Sequence, residues 1–408
     1  MKRPVKVLQF GSGNFLRGFC DWMIDILNEK TDFNGNVQIV QPLRRGKGIA
    51  LASQDGAYNV KISDSDRQIN CIDSIVDPFN DYEKFLATAE NQDLEFVFSN
   101  STEAGIVFGN DETFPARVTA LLYRRYQKLP GKGLTFLPCE LIEKNGDTLK
   151  SVVMQYADLW KLPAEFKKWI DDKIIFLNTL VDRIVTGVGD KFDVLTEPFH
   201  LWVIEGSVSI PFAEAGLNVM FVRDLAPYRN RKVRILNGAH TTLVPVAYLK
   251  GFRTVRESVE DPEIGRFLWE AIHEEIIPTL DLPKEELIQF ADDVMERFRN
   301  PFIRHELSSI ALNSVSKYKV RVLPSVLRYI ELKDQLPKRL LYSLAELIRL
   351  YKTTINDTPE VTEFFKKAWA SHDPVSLVLG NKDFWGQDLN NIPRLNELVT
   401  QSVLNHKR

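Results

Sequence analysis

The sequence predicts an α/β domain with a doubly wound parallel sheet, followed by an all-helical domain. The chain has 408 residues, which is more than one ordinary domain usually holds. In its first half, short β-rich runs alternate with helical stretches, as in parallel βαβ units. After about residue 235 these runs nearly disappear and helical periodicity takes over. We therefore expect a first domain over residues 1–235 and a helical second domain over residues 236–408.

Short apolar runs predict the strands of the first domain. These runs are residues 5–10, 37–41, 95–99, 134–137 and 174–177. Glycines follow the first run, and a helix is predicted directly after them because apolar residues from Phe15 to Leu27 recur at helical spacing.

Amphipathic helical patterns separated by prolines predict the second domain. The clearest pattern runs from Leu340 to Tyr351, where apolar residues at i, i+4, i+7, i+8 and i+11 fall on one helical face. Similar patterns cover residues 258–280, 283–299, 305–314 and 358–370.

Net charge and cysteine content limit the partners and the compartment. The chain carries 52 Lys and Arg against 55 Asp and Glu, a net charge of -3, so nothing favours nucleic acid or an anionic membrane as the main partner. No run of about 18 apolar residues and no signal-peptide pattern appears. Three separated cysteines argue for a reducing compartment and against a disulfide framework or a structural zinc site. We expect a cytoplasmic protein with a small-molecule partner.

Glycines between the first strand and the first helix form a candidate dinucleotide loop of a Rossmann-type domain. Gly11 would allow the tight turn, and Gly13 would let the backbone approach a pyrophosphate at the helix N-terminus. Leu16 occupies the usual place of the third glycine and Gly18 follows late, so a strand–glycine–helix turn without a ligand is the alternative. The residues predicted to bind the cofactor here are Gln9, Phe10, Gly11, Ser12, Gly13, Asn14, Phe15, Leu16 and Arg17.

The end of the second strand leaves the type of dinucleotide open. An acid in this place usually holds the ribose hydroxyls of NAD, whereas a nearby arginine accommodates the phosphate of NADP. Here Gln41 stands at the strand end and Arg44 and Arg45 follow, and both arginines could equally lie in a solvated loop. Physical chemistry alone therefore permits NAD or NADP.

A lysine, an asparagine and a histidine form the most informative group. Lys232, Asn237 and His240 lie within about two helical turns, and Asn237 and His240 share a face as an i, i+3 pair. On an ideal α-helix Lys232 would point about 140° away from Asn237, so a bend or a later helix start is needed for all three to converge. Together they could move a hydroxyl proton and stabilise the oxyanion beside it. The alternative is a basic surface stretch with one buried histidine.

Several segments resemble the polyol-specific long-chain dehydrogenase/reductase family, the mannitol dehydrogenase-like enzymes. The spacing Lys232-x4-Asn237-x2-His240 is similar to that family's signature, and the other similar segments are residues 11–17, 99–105, 178–184, 197–202 and 300–302. These segments are spread over most of the chain. Within the family, the amino-acid sequences of residues 138–142, 145–146 and 232–244 are most similar to those of members that act on tagaturonate and altronate.

The resemblance implies an NAD-dependent oxidoreductase that uses no metal. Lys232 would be the general acid/base, while Asn237 and His240 would polarise the substrate carbonyl. Lys317 matches a family position that binds substrate in the helical domain. The substrate would be a sugar acid, and the oligomeric state is left open.

Three further residues are candidates for the site. Thr102 and Glu103 lie in the segment that resembles the nicotinamide side of the family's sheet, although Glu103 could instead cap a helix. His305 follows the Asn300-Pro-Phe segment closely and could contact substrate.

Three positions depart from the family pattern. Leu141 replaces an asparagine that donates to the oxyanion, Arg229 replaces a glutamate, and Ser309 replaces an arginine. Losing an acid and gaining a cation near the reacting centre would suit an anionic substrate, so Arg229 is a candidate substrate-binding residue unless it faces solvent.

These observations lead to one main hypothesis and two rivals. The main hypothesis is an NAD-dependent oxidoreductase of hexuronate catabolism that interconverts tagaturonate and altronate. The nearest rival is the same chemistry on fructuronate, mannitol or a mannitol phosphate. A rival of another class is a non-catalytic, dinucleotide-binding redox sensor, which would need the Gly11–Gly13 loop but not the group around Lys232.

Overall fold

A computed structural model describes residues 2–41, 51, 53–54, 56–101, 105–109, 111–187, 192–353 and 357–404. The chain divides into two compact units, Met1–Leu225 and Ala226–Arg408. The division comes earlier than residue 235 because the change from strand to helix occurs at Ala226, where the helix Ala226–Arg231 begins and leads directly into Lys232–Asn237.

The strands all belong to the first unit as far as the chain is described. Numbered in chain order, they are β1 (Val5–Phe10), β2 (Asn36–Val40), β3 (Tyr58–Ile62), β4 (Ser65–Ile69), β5 (Ile72–Val76), β6 (Phe96–Ser99), β7 (Leu134–Pro138), β8 (Ile174–Phe176), β9 (Thr179–Asp182), β10 (Val185–Gly187), β11 (Val194–Thr196), β12 (Leu201–Glu205) and β13 (Val219–Val222).

The main sheet is parallel throughout and has the order β5-β2-β1-β6-β7-β8. The chain proceeds from β1 outward to one edge and then returns to β6 and the other edge, which confirms the predicted doubly wound topology. In such sheets a ligand binds beyond the carboxyl ends of the strands where the order reverses, here between β1 and β6. Five of its strands were predicted to within two residues at each end. The sixth, β5, was missed because polar residues interrupt its apolar pattern.

Two smaller sheets were not predicted. They have the orders β10-β11-β3-β4 and β13-β12-β9, and each contains an antiparallel pair. Their strands are short and pair across long stretches of sequence, as β11 does with β3, so local periodicity does not reveal them.

Helices surround the main sheet in the first unit. The α-helices whose full extent lies among the described residues are Asn14–Leu16, Trp22–Lys30, Tyr82–Ala87, Phe114–Lys128, Asn145–Leu159 and Ala164–Lys173, with a π-helix at Arg17–Asp21 and a 3₁₀ turn at Thr88–Glu90. The first three segments, from Asn14 through the π-helix to Lys30, follow one another without a break and directly continue the glycine loop.

The described part of the second unit is helical, with one isolated bridge between Thr254 and Glu306. Its α-helices are Ala226–Arg231, Gly238–Leu249, Val255–Glu260, Pro262–Glu270, Lys284–Phe298, Leu307–Ile310, Ser314–Arg321, Leu323–Lys333, Lys338–Leu350, Pro359–Ala370, Pro374–Leu379, Lys382–Trp385 and Leu395–Leu404. The π-helices are Lys232–Asn237 and Ala271–Ile276, and the 3₁₀ turns are Ile277–Thr279 and Leu389–Asn391. The predicted order of an α/β domain and a helical domain is confirmed.

Two of the predicted helical patterns are divided in the structure. The pattern at 258–280 is interrupted at Asp261, whose carboxylate caps a new helix that starts at Pro262. The pattern at 305–314 ends at Ile310, and the next helix starts after Asn313, which has a left-handed backbone. By contrast, the face from Leu340 to Leu350 is buried in the core of the unit, as its periodicity predicted. No helix in the described part of the chain has both the length and the apolar character needed to cross a membrane.

Candidate active site

The glycine loop of the first unit has a backbone that only glycine adopts easily. Gly11 has a φ of +121°, and its amide donates a hydrogen bond to the Val40 carbonyl at 3.1 Å. At Gly13 an added Cβ atom would meet no atom of the described residues within 4 Å, so these residues leave space against the backbone. No side chain among the described residues caps the helix that starts at Asn14, and the first amides of a helix attract an anion. These features fit the pyrophosphate of a dinucleotide.

The late glycine, Gly18, has a packing role. A Cβ atom at this position would lie 2.7 Å from Val185 Cγ1 and 2.8 Å from Thr196 Cγ2. The helix that follows the loop can therefore approach β10 and β11 only because residue 18 has no side chain. This is the close-packing role that the third glycine of the usual fingerprint performs.

Arg17 supports the loop from within the protein. Its side chain is only 3% exposed. The guanidinium donates from Nη1 to the Ser12 carbonyl, from Nη2 to Asn14 Oδ1 at 2.7 Å and from Nε to the Phe192 carbonyl at 3.0 Å. Burial lowers the pKa of Arg17 from its usual value. Arg17 was predicted to bind the cofactor, but its side chain donates its hydrogen bonds to residues of the protein, two of them in the glycine loop.

The other predicted loop residues differ in what they can offer a ligand. Phe10 and Leu16 are buried in the core, so only their backbones could reach a cofactor. Phe15 is half-buried and stacks on Phe19 with ring centroids 4.9 Å apart. Gln9 is fully buried, and its Nε2 donates to the Gly11 carbonyl at 3.1 Å.

Thr102 and Glu103 lie outside the described residues, as do Arg44 and Arg45.

The strand end just before Thr102 is held by a carboxylate that sequence reasoning missed. Glu140 accepts hydrogen bonds from Ser99 Oγ at 3.0 Å, from the Ser101 amide at 2.8 Å and from Ser101 Oγ at 2.9 Å. Burial raises the pKa of Glu140. Its position directly after β7 was the available signal, because the carboxyl ends of neighbouring strands meet at one edge of the sheet.

In the second unit, a π-helical turn contains two of the three proposed catalytic residues. Lys232 begins this turn and Asn237 ends it. The amide of Gly238 donates to the carbonyl of Val233, five residues earlier, which is the π-helical pattern. Such a turn brings residues five apart closer to the same side than an α-helical turn does. Lys232 is 9% exposed and Asn237 is half-buried.

His240, one turn further on, is buried among aromatic rings. Its ring lies 4.2 Å from that of Phe298 and 4.8 Å from that of His305, measured between centroids. Its Nε2 atom has no hydrogen-bond partner among the described residues. A buried polar atom without a partner is costly, and a substrate oxygen would supply the missing bond.

The surroundings of His240 are basic. Burial is the main reason why the pKa of His240 lies well below its usual value. Nearby basic groups lower it further; these are His305, Arg321, Arg297 and Lys317. Burial also lowers the pKa of His305. His240 is therefore neutral near pH 7 and lies in a region of positive potential that would attract an anion.

Of two predicted substrate-binding residues, Lys317 affects the pKa of His240, whereas Arg229 affects that of Arg234. Lys317 is close enough to affect His240, and its ammonium group also donates to the Ile310 carbonyl at 2.8 Å. Arg229 lies half-buried in the helix Ala226–Arg231. The pKa of Arg234 is lowered mainly by its own burial and, to a smaller extent, by the positive charge of Arg229.

Sequence reasoning missed Arg297 and Arg321. Arg321 is four residues from Lys317 on one helix and shares its face, which was a usable signal. Gly238 permits the close approach of that helix, because a Cβ atom there would lie only 3.1 Å from the Arg321 carbonyl oxygen.

No cluster of three or more His, Cys, Asp or Glu residues suited to a metal occurs in the part of the chain that the structure describes.

Comparisons with known proteins cover nearly the whole chain. The mannitol dehydrogenase Rossmann domain matches residues 5–212, and the mannitol dehydrogenase C-terminal domain matches residues 224–406. The chain is 46% identical to the altronate oxidoreductase of Bacillus subtilis strain 168, over 99% of this chain and 92% of that protein. It is 42% identical to the altronate oxidoreductase of Phocaeicola vulgatus, over 98% and 93% respectively.

A solved structure shows the same fold. The mannitol 2-dehydrogenase of Pseudomonas fluorescens, in a ternary complex with NAD and D-mannitol, aligns with 98% of this chain and 91% of its own, with a TM-score of 0.80. The sequence identity is 20%, so this similarity concerns the fold alone.

Proposed function

Because the chain belongs to the mannitol dehydrogenase family, we propose that it is an NAD-dependent oxidoreductase that interconverts tagaturonate and altronate. The keto-uronate would be reduced to the hexonate, with NADH and a proton consumed and NAD formed. The observation that carries the proposal is the neutral, unpartnered imidazole of His240 within a group of cations. Relatives named altronate oxidoreductase, at 46% and 42% identity, support the same substrate.

The first unit would bind the cofactor through its glycine loop. The open backbone at Gly13 and the helix start at Asn14 would hold the pyrophosphate. When bound, NAD supplies the acceptor for hydride in one direction and the donor in the other. The residues of this chain provide binding, orientation and proton transfer.

The second unit would provide the proton and stabilise the developing charge. Lys232 would donate a proton to the substrate oxygen during reduction and accept it during oxidation. Asn237 would donate a hydrogen bond from its side-chain amide to the same oxygen. His240 would add a second hydrogen bond from the imidazole, which is neutral because of its low pKa. The π-helical turn would bring Lys232 and Asn237 closer to a common side than an α-helical turn does.

The cations near His240 favour a substrate with a carboxylate. Hydrogen bonds between charged groups are stronger than neutral ones, and a guanidinium can bind a carboxylate with two parallel bonds. Arg321 and Lys317 lie one helical turn apart on the same helix, so both could contact one anionic group. A neutral polyol would gain nothing from this positive potential.

A substrate panel tests the proposed function. The purified protein would be mixed with NADH and either tagaturonate, fructuronate, fructose or fructose 6-phosphate, and the loss of NADH absorbance followed. We expect the highest kcat/KM with tagaturonate. A higher value with another substrate would identify that substrate class instead. NADH binding without turnover of any compound would support a redox sensor.

A pair of variants tests the recognition of the carboxylate. Arg321→Met should raise KM for tagaturonate roughly 10- to 100-fold, because a charge-assisted bond contributes about 1.5–3 kcal/mol. KM for a neutral ketose should change little. Lys319→Met is the matched control, since this lysine lies on the same helix and its ammonium group donates to the Asp383 carbonyl at 3.1 Å. Equal effects on both substrates would exclude Arg321 from carboxylate recognition.

A further inference from the structure

A buried polar cluster lies behind the glycine loop of the first unit. Its members are Gln9 from β1, Arg17 and Asp21 from the helix after the loop, and Tyr58 from β3. All four side chains are at least 97% buried, since their exposed fractions are 3% or less. Polar side chains that are buried so completely normally have hydrogen-bond partners within the protein.

The cluster contacts the loop through backbone carbonyls. Gln9 Nε2 donates to the Gly11 carbonyl at 3.1 Å, and Arg17 Nη1 donates to the Ser12 carbonyl. Both contacts reach the loop from the protein interior. At Gly13, by contrast, no atom of the described residues lies within 4 Å of an added Cβ.

Asp21 connects the members of this cluster. Its Oδ2 atom accepts from Tyr58 Oη at 2.8 Å and lies 3.4 Å from Gln9 Nε2. Tyr58 Oη also lies 3.2 Å from the Arg17 carbonyl. Asp21 is therefore in direct contact with the side chain that holds Gly11, and Tyr58 connects it to the backbone of Arg17.

Two buried oxygens of the cluster have no hydrogen-bond partner among the described residues. They are Oδ1 of Asp21 and Oε1 of Gln9. Burying an ionised Asp21 whose Oδ1 has no hydrogen-bond partner among the described residues would cost considerable free energy. Protonation removes the charge and turns one carboxyl oxygen into a hydrogen-bond donor. Burial accordingly raises the pKa of Asp21 to about 7, although hydrogen bonds from Tyr58 and Gln9 act in the opposite direction.

The charged and titratable groups around Asp21 do not cancel its charge. On its own helix Arg17 attracts a negative charge and Asp25 repels it. Cys20 is on the same helix, and Cys71, just before β5, donates from Sγ to the Asp21 carbonyl at 3.4 Å. Tyr58 faces it from β3, and β1 contributes the neutral Gln9.

We propose that Asp21 is a positioning residue for the dinucleotide loop, and that its protonated form is the one that favours cofactor binding. This inference rests on the proposed use of NAD. A neutral Asp21 keeps its contacts with Gln9 and Tyr58. An ionised Asp21 places a negative charge behind a loop whose other side receives an anionic pyrophosphate, and like charges at short range repel. The affinity for NADH therefore falls as the pH rises through about 7.

Titrations of NADH fluorescence between pH 6 and pH 8.5 test the proposal. Wild-type protein should bind NADH about five-fold or more weakly at the upper end of this range, because a buried charge is poorly screened. Asp21→Asn keeps a carbonyl oxygen for Gln9 and Tyr58 but cannot ionise. It should bind NADH as wild type does at pH 6, at every pH. Asp32→Asn, an exposed change in the same region of the chain, is the control and should follow wild type.

Two more variants separate positioning from a merely structural role. Asp21→Ala removes the contacts with Gln9 and Tyr58 and should bind NADH roughly ten-fold more weakly than wild type does at pH 6, the usual effect of one lost buried hydrogen bond. Because alanine cannot ionise, this weaker affinity should not change with pH. Tyr58→Phe retains the ring but removes the hydroxyl that stabilises the ionised form. It should move the midpoint of the pH dependence upward.

The outcomes are distinguishable. The same pH dependence in Asp21→Asn as in wild type, or an unmoved midpoint in Tyr58→Phe, would overturn the proposal even if Asp21→Ala failed to fold. Wild-type protein that does not bind NADH at any pH would overturn the proposed function and this inference with it.

Discussion

Lys232 and Asn237 stand at the two ends of a single π-helical turn. On an ideal α-helix these two residues would face directions about 140° apart. The π-helical turn adds one residue to the hydrogen-bonded ring, which reduces this angle between residues five apart. A π-helical turn is less stable than an α-helical one, and it often occurs at functional sites. The turn begins at the buried Lys232 and ends three residues before the buried His240, so a catalytic role is a reasonable expectation for this segment.

Lys232→Ala should lower kcat roughly 10²- to 10⁴-fold, the range expected for the loss of one positioned general acid/base. NADH affinity should remain unchanged, because Lys232 belongs to the second unit and the glycine loop to the first. Steady-state kinetics and NADH fluorescence would measure the two effects. Lys250→Ala, which removes an exposed lysine paired with Glu263, is the control. Wild-type turnover in Lys232→Ala would exclude the proposed acid/base.

Gly13→Asp should weaken NADH binding by a factor of ten or more, since a side chain and a negative charge would occupy the space against the loop backbone. The fold should tolerate the change, because no atom of the described residues lies within 4 Å of the added Cβ. Gly131→Asp is the matched control, as its Cβ also meets nothing within 4 Å, in a turn of the same unit. Unchanged NADH affinity in Gly13→Asp would mean that the cofactor binds elsewhere.

Gly18→Ala should destabilise the first unit by about 1–3 kcal/mol, the usual cost of overpacking. The added methyl group would lie 2.7 Å from Val185 Cγ1, which is closer than carbon atoms approach in folded proteins. Chemical denaturation would measure the free energy of unfolding. The double variant Gly18→Ala, Val185→Ala should recover part of the loss, because it removes one of the colliding groups. No recovery would point to Thr196 as the main obstacle.

Stability should fall on the acid side because His240 is held neutral. Its pKa in the folded protein lies well below the ordinary value of about 6.5, so below that pH the unfolded chain binds a proton that the folded chain does not. The free energy of unfolding attributable to His240 is therefore constant above about pH 6.5 and decreases below it, by at most about 1.4 kcal/mol per pH unit. His240→Asn should flatten this decrease between pH 6.5 and pH 5. An unchanged slope would show that His240 takes up its proton in the folded state as well.

Local features of the sequence predicted much of the candidate site. The positions of Gly11 and Gly13 between a strand and a helix predicted the loop, since backbone freedom is a property of the residue itself. The spacing of Lys232, Asn237 and His240, together with the family resemblance, singled out this group, and its catalytic role stays a prediction; the π-helical turn that contains Lys232 and Asn237 was not predicted. Tyr58 carried no signal, because it reaches Asp21 from a strand that local periodicity did not reveal.

The sequence by itself determined the order of strands and helices, the parallel sheet and the residue types available for catalysis. These follow from the burial periodicity and backbone preferences of neighbouring residues, which act locally. Only the tertiary structure decided which cations surround His240 and how Asp21, Gln9 and Tyr58 meet behind the loop. It also decided that residue 18 has no room for a side chain. The physical reason is that hydrogen bonding, burial and electrostatic potential depend on distances between residues far apart in the chain, and those distances exist only after packing.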